Sequence, residues 1–444
     1  MLSVGLMSGT SMDGIDAALL ETDGSAEYLK ALGHASMTYA PLFQTLLKAT
    51  EFTIRKYNGN MENAKLYYLP SIKKYLAREL KLTENATSHK ITEFVNYLKK
   101  PLTLDAIVKH STELHNTIIQ KLLKELGYLS KQIDVIGYHG QTMLHRPKDK
   151  ISIILGDGQY LAERTQITVV NGFRQRDIQA GGQGAPFAPI YHQALAIRDQ
   201  KIPLAIINCG GIANITLISS KEESDLIGFD TGPGNCLVDR LVRQRTLGKE
   251  TMDKNGRYGK EGKINQEILS LLYEKSIMQN RQNYFSICPP KALDVGDILL
   301  IQELDSLSLA DAAATLEAFT ADSIVKSLEW FNHTLPSTFV LSGGGFKNPV
   351  ITNEFKQRLT AKMNKPLNIL TADEAGFSSE AMEAEIFAFF AVRSLRNMPL
   401  SVPGTTRVAK PLSGGYAYIP SLGMTDTVKK LIDLNPGVLS PTLI

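Results

Sequence analysis

Two stretches of this chain share one pattern, and together they restrict its fold more than anything else in the sequence. The apolar run Ser3-Val4-Gly5-Leu6-Met7 enters the polar turn Ser8-Gly9-Thr10-Ser11-Met12-Asp13-Gly14-Ile15-Asp16 and leaves as Ala17-Ala18-Leu19-Leu20. Much further on, Leu204-Ala205-Ile206-Ile207-Asn208 enters Cys209-Gly210-Gly211-Ile212-Ala213-Asn214 and leaves as Ile215-Thr216-Leu217-Ile218. Both read as strand, glycine turn, strand. A hairpin needs only one turn pair such as Asp13-Gly14. The first turn instead crowds two glycines, three hydroxyls and two acids into nine residues. Backbone N–H groups and hydroxyls in such a turn hold phosphate oxygens, and a carboxylate such as Asp13 holds Mg2+ through water. For each stretch the competing reading is a plain turn. Two such hairpins imply duplicated halves facing each other across a cleft, at 1–202 and 203–444.

Between and after the hairpins, strands and helices alternate, which predicts an α/β fold with mixed sheets. Helical spacing of Ile107, Leu114, Ile118, Leu122 and Leu126, with Gly127 as a stop, predicts a helix over 104–126. A strand at 134–138 ends in His139-Gly140-Gln141-Thr142. Hydrogen-bonding side chains at a strand end sit where open α/β sheets bind ligands. The strand Thr168-Val169-Val170 delivers Phe173-Arg174 and then Asp177-Ile178-Gln179-Ala180-Gly181-Gly182-Gln183-Gly184-Ala185-Pro186. That run pairs a lone carboxylate with glycines, which let backbone approach a ligand closely. A surface loop with an incidental Asp is the alternative. Asp230-Thr231-Gly232-Pro233-Gly234-Asn235 is another glycine loop. Ser342-Gly343-Gly344-Gly345-Phe346-Lys347-Asn348 leaves a strand and opens a helix near Pro349, a turn that admits a nucleotide. It is not a dinucleotide fingerprint, because Asn348 stands where the last glycine belongs. The helix 381–395 carries Glu383 near its N-terminal end, where it also favours the helix dipole.

Composition narrows the function classes. There are 48 basic and 45 acidic residues, so no electrostatic footprint for nucleic acid exists. No apolar stretch reaches the roughly 18 residues of a membrane span, and the first residues read as a strand and not as a signal peptide. The cysteines Cys209, Cys236 and Cys288 fit neither a disulfide framework nor a zinc ribbon, and a reducing cytoplasm is the expected setting. Leu- and Phe-rich helices in the second half are compatible with a homodimer.

These loops, in this order, resemble the anhydro-N-acetylmuramic acid kinase family. The match is carried by residues 7–16, His139 to Thr142, the Asp177 run, 208–216, 229–235 and 343–348. The resemblance implies two RNase H-like domains of the sugar-kinase and actin superfamily (an actin-like ATPase fold) that close on ATP. It implies ATP contacts from Gly9, Thr10, Ser11, Met12, Asp13, Gly14, Ile15 and Asp16, from Gly210 and Gly211, and from Gly343, Gly344, Gly345 and Asn348. Sugar contacts fall to His139, Gln141, Thr142, Gln183 and Glu383. Asp177 matches the general base, which deprotonates water for attack at C1 of a 1,6-anhydro sugar while O6 leaves towards the γ-phosphate of ATP. Departures exist: Gly172-Phe173-Arg174 stands where the family has Asp-Phe-Arg, and Pro289-Pro290-Lys291 is followed by Ala292-Leu293-Asp294 instead of Ser-Thr-Gly. The segment 26–102 is longer than expected. A kinase for another 1,6-anhydro sugar such as levoglucosan, and a non-catalytic nucleotide- or sugar-binding protein, are the other readings.

Overall fold

In the computed structural model, residues 1–9, 11–278, 281–331 and 334–439 are described. The first hairpin forms as its sequence requires: β1 (Leu2–Ser8) pairs antiparallel with β2 (Gly14–Thr22), which pairs with β3 (Leu29–Thr38). On its other edge β1 runs parallel to β4 (Val135–Arg146). A short β5 (Ile151–Leu155) pairs antiparallel with the far half of β4, and β6 (Thr168–Asn171) pairs parallel with its near half. The strand Tyr416–Tyr418 closes the edge beyond β6. The second hairpin, β7 (Leu204–Cys209) and β8 (Ile212–Ile218), continues into β9 (Leu226–Pro233). Beside β7 lie β10 (Thr338–Ser342) and then β11 (Asn368–Thr371), both parallel. The orders β3-β2-β1-β4-β6 and β9-β8-β7-β10-β11 are therefore the same: an antiparallel meander whose first strand leads into two parallel ones. This is the RNase H-like sheet, present once in each half.

The compact units divide the chain differently from 1–202 and 203–444. One comprises Met1–Phe187, Glu380–Ser401 and the chain from Val408 onward; the other comprises Ala188–Ser379 and Val402–Arg407. The reason lies in the first sheet. Side chains alternate between faces along a strand. Val4 and Leu6 pack on one face with Ile107, Ile118 and Leu122 of the helix Leu104–Leu126. That helix is capped by the Thr103 hydroxyl and ends at Gly127 in the left-handed conformation. The other face carries Gly5 and Gly137, which stand opposite each other in register on β1 and β4. A Cβ at Gly5 would lie 1.9 Å from the carbonyl oxygen of Ala384, and one at Gly137 would lie 1.9 Å from that of Phe387. The backbone of the helix Met382–Leu395 thus rests directly on the strands, and every residue from Ala384 to Leu395 is buried.

In the second unit the helices Leu309–Ser327 and Pro349–Met363 cover one face through Ala321, Ile324, Phe355 and Leu359. The helix Ala188–Arg198 covers the other, with His192 Nδ1 2.9 Å from Thr216 Oγ1. Among the described residues no helix is long and apolar enough to cross a membrane.

Candidate active site

The strand ends of the first sheet bring its predicted residues together. After β1, the Met12 amide donates to the Gly9 carbonyl at 3.1 Å, making a tight turn. Ser11 Oγ donates to Asp13 Oδ1 at 2.6 Å, and both residues face solvent. Met12 adopts φ 56° and buries its side chain in the core. Ile15 is buried as well, and Gly14 pairs with Thr38 in the sheet. As ligands, Met12, Gly14 and Ile15 therefore have backbone to offer. Thr10 lies outside the described residues. Asp16, at the start of β2, accepts from Ser36 Oγ at 2.6 Å. Burial raises its carboxyl above the usual range, the Ser36 bond opposes this, and the charge of Asp13 adds to it.

His139, Gln141 and Thr142 do not form a turn beyond the strand; they lie within β4. Gly140, at φ 81°, bends the strand there, so its second half turns to pair with β5. Gln141 Nε2 donates to the Gly9 carbonyl at 2.8 Å and so ties β4 to the first turn. Its buried Oε1 has no protein partner, and the same holds for Gln183 Oε1. Acceptors left open by the protein suit a ligand's hydroxyl or amide donors. The Gln183 carbonyl is 2.9 Å from His145 Nε2, and burial pushes the His145 imidazole down to about 4. Thr142 is half-buried and makes its ladder pairing with Ile154.

Asp177 lies on a short helix, Gln175–Gln179, and not in the loop expected from its glycines. It is 2% exposed. The loop that follows folds back on it: the Gly184 amide donates to Asp177 Oδ1 at 2.6 Å, and the Gly182 amide to the Asp177 carbonyl at 2.8 Å. A Cβ at Gly182 would fall 2.2 Å from Oδ1, and Gly184 has φ 64°. These two positions require glycine for reasons that belong to the carboxylate. Upstream, Gly172 adopts φ 75°, which suits glycine.

Glu383 stands in the first turn of the Met382 helix and reaches solvent on one side. The protein crowding its other sides raises its carboxyl, with Asp16 adding to the rise and Arg174 opposing it. One helical turn later, Phe387 places its ring 4.5 Å from that of His139. Sequence reading did not single out Arg174. The signals for it were its place between the β6 strand and Asp177 and its position in the Gly172-Phe173-Arg174 stretch. Among the described residues no group of three or more His, Cys, Asp or Glu side chains is arranged to hold a metal ion.

In the second unit, Gly210 and Gly211 form the tight link of the β7–β8 hairpin. Their carbonyls accept from the amides of Asn235 and Gly234, each at 2.9 Å, which pins the hairpin to the loop after β9. The 343–345 turn packs on the end of β7: a Cβ at Gly343 (φ 90°) would meet Asn208 Oδ1 and the Cys209 carbonyl at 2.5 Å, and one at Gly345 would meet Cys209 Sγ at 2.3 Å. Gly344 faces open space. Asn348 Oδ1 caps the Pro349 helix by accepting from Val350, and its Nδ2 donates to buried Glu317 at 2.5 Å, so its side chain serves the fold. On β9, burial pushes the Asp230 carboxyl up to about 7 although the Leu293 amide donates to it at 2.8 Å.

Comparison with known proteins follows this geometry. The family model described as anhydro-N-acetylmuramic acid kinase matches residues 86–420. The chain is 36% identical over 422 residues to the anhydro-N-acetylmuramic acid kinase of Brucella suis, covering 94% of this chain and 98% of that one. It is 36% identical over 420 residues to that of Rhizorhabdus wittichii, covering 95% and 99%. A ROK family glucokinase from Streptomyces griseus in complex with glucose and AMPPNP is similar at a TM-score of 0.37 and 11% identity, covering 88% of this chain and 99% of that one. The chain belongs to the anhydro-N-acetylmuramic acid kinase family, whose members are phosphotransferases with an alcohol group as acceptor.

Proposed function

We propose that the protein uses ATP and water to convert 1,6-anhydro-N-acetylmuramic acid to N-acetylmuramic acid 6-phosphate and ADP, a step in the reuse of cell-wall amino sugars. The observation that carries the reading is the buried Asp177 carboxylate, held by the Gly184 amide inside a loop whose glycines leave it no other place. In this reaction Asp177 takes a proton from water, the water oxygen bonds to C1, and the C1–O6 bond breaks. The electron pair left on O6 attacks the γ-phosphorus, and the bond from that phosphorus to the ADP oxygen breaks. The phosphoryl group takes the place of a glycosidase's general acid, so one carboxylate suffices.

The backbone and Ser11 of the 9–13 turn hold phosphate oxygens, while Gly210, Gly211 and Gly343 to Gly345 in the second unit take nucleotide contacts. Gln141, Thr142, Gln183 and Glu383 meet the sugar, and the open Oε1 atoms of Gln141 and Gln183 support this; His139, whose ring nitrogens are taken by Arg174 and the Gly140 carbonyl, has no polar atom left for it. Asp13 and Asp16 would hold Mg2+ through water. Burial raises the Asp16 carboxyl, and the charge of Asp13 adds to that rise; Mg2+ characteristically takes one or two carboxylates beside substrate phosphates. When bound, the ion neutralises phosphate charge.

The test is ADP release with Mg-ATP over a panel of anhydro sugars. The reading predicts ADP formed one for one with 1,6-anhydro-N-acetylmuramic acid and little with levoglucosan. Preference for levoglucosan, or no ADP with any sugar, contradicts it.

A further inference from the structure

In the first unit, Arg174 is a densely bonded side chain without an assigned role. Its Nη1 donates to the Gly184 carbonyl at 2.5 Å, while the Gly184 amide donates to Asp177 Oδ1 at 2.6 Å. Gly184 is thus held from both sides, by the cation on its carbonyl and by the carboxylate on its amide. On the opposite flank, Nε and Nη2 of Arg174 lie 3.3 and 3.1 Å from His139 Nε2. A guanidinium only donates, so His139 Nε2 accepts and the imidazole proton sits on Nδ1. That proton is donated to the Gly140 carbonyl at 2.8 Å. Burial first, and the charge of Arg174 second, hold His139 well below the usual histidine range, so it is a neutral clamp. The guanidinium also lies 5.5 Å over the Phe187 ring. Its charge faces Glu383 and Asp177, and both support its ionisation against burial, which pushes it down to about 10.

We propose that Arg174 is a positioning residue for the reaction, fixing the Asp177 carboxylate through Gly184 and oriented in turn by neutral His139. Its charge favours the ionised form of Glu383, against the burial that raises that carboxyl. This rests on the reading of Asp177 as the base. The other titratable groups in this surround are His139 and His145, which feel the Arg174 charge, and Asp16, whose charge adds to the rise of Glu383.

The experiment measures kcat and KM for the sugar from pH 5 to 9 in Arg174→Ala, Arg174→Gln and Arg174→Lys, with and without added guanidinium chloride, beside Asp177→Asn. Arg174→Ala is expected to lose about 100-fold in kcat, with the KM for ATP unchanged. The acidic limb of its kcat profile moves to higher pH. Guanidinium restores part of the rate in Arg174→Ala and none in Asp177→Asn. Lys recovers the position of the limb and part of the rate. Gln keeps a donor for Gly184 without the charge, so it recovers rate while its limb stays displaced. If Arg174→Ala does not fold, Gln and Lys carry the comparison. Variants that lose activity only in proportion to their folded fraction, with an unmoved acidic limb and no response to guanidinium, overturn the proposal. Turnover by Asp177→Asn instead overturns the reading of the base beneath it, whatever the Arg174 variants do.

Discussion

The two central strand pairs have the same place in the same sheet and opposite contents. Gly5 and Gly137 pair on β1 and β4, four residues before the turn glycine Gly9 in the case of Gly5. At the matching positions of the second unit, Ile206 and Val340 pair on β7 and β10, and Ile206 likewise stands four residues before Gly210. Ile206 and Val340 are buried side chains. The glycine pair instead admits the backbone of a helix from the far end of the chain, and that helix brings Glu383 and Phe387 to Arg174 and His139. Close approach in the first unit thus sets a helix beside the candidate site, while the matching positions of the second carry buried side-chain volume.

The largest effect follows from the residue on which the first unit converges. Asp177→Asn is expected to lower turnover by about a thousandfold or more while ATP binding persists, checked by ADP release and equilibrium binding. Loss of both together would mean that the loop holds nucleotide. Next, Gly137→Ala places a methyl group against the Phe387 carbonyl and is expected to cost about 3 kcal/mol, whereas Ile206→Val costs about 1 kcal/mol. Urea unfolding measures both, and equal costs would erase the contrast between the units.

How much of this was legible in the sequence follows from the same contrast. The hairpins, the helix Leu104–Leu126 and its Gly127 stop were readable, because apolar spacing and turn residues act locally. The place of Glu383 was not: it depends on absent Cβ atoms at Gly5 and Gly137, which no periodicity reveals. Met12 stood in a polar turn and read as a ligand, yet its positive φ turns an apolar side chain into the core. Asn348 sat beside three glycines, but its neighbour Pro349 begins a helix, and Asn before Pro is also a capping signal. Asp177 was readable because its glycines crowd one carboxylate; Arg174 was not, because its partners are backbone and a histidine distant in sequence.

Smaller effects sharpen the second unit's side of the comparison. Burial pushes the Glu317 carboxyl from its ordinary 4.5 to about 8. Between those values the folded protein keeps a proton that the unfolded chain releases, so stability falls as pH rises, by at most about 1.4 kcal/mol per pH unit. Glu317→Gln is expected to flatten that slope in urea melts from pH 5 to 8; an unchanged slope would assign the pH dependence elsewhere. Smallest of all, Asn348→Ala is expected to cost about 1 kcal/mol by removing the cap and to leave ATP affinity as it was. Weaker ATP binding at full stability would make Asn348 a nucleotide contact as well as a cap.

The central claim is that water, readied by Asp177, adds to C1 while the bridge oxygen O6 receives the phosphoryl group. Turnover in water enriched in the heavy oxygen isotope, with the sugar phosphate analysed by mass spectrometry, tests it directly. The account predicts one heavy oxygen on C1 and none in the phosphate ester. Heavy oxygen in the phosphate group, or a sugar phosphate carrying none, contradicts it.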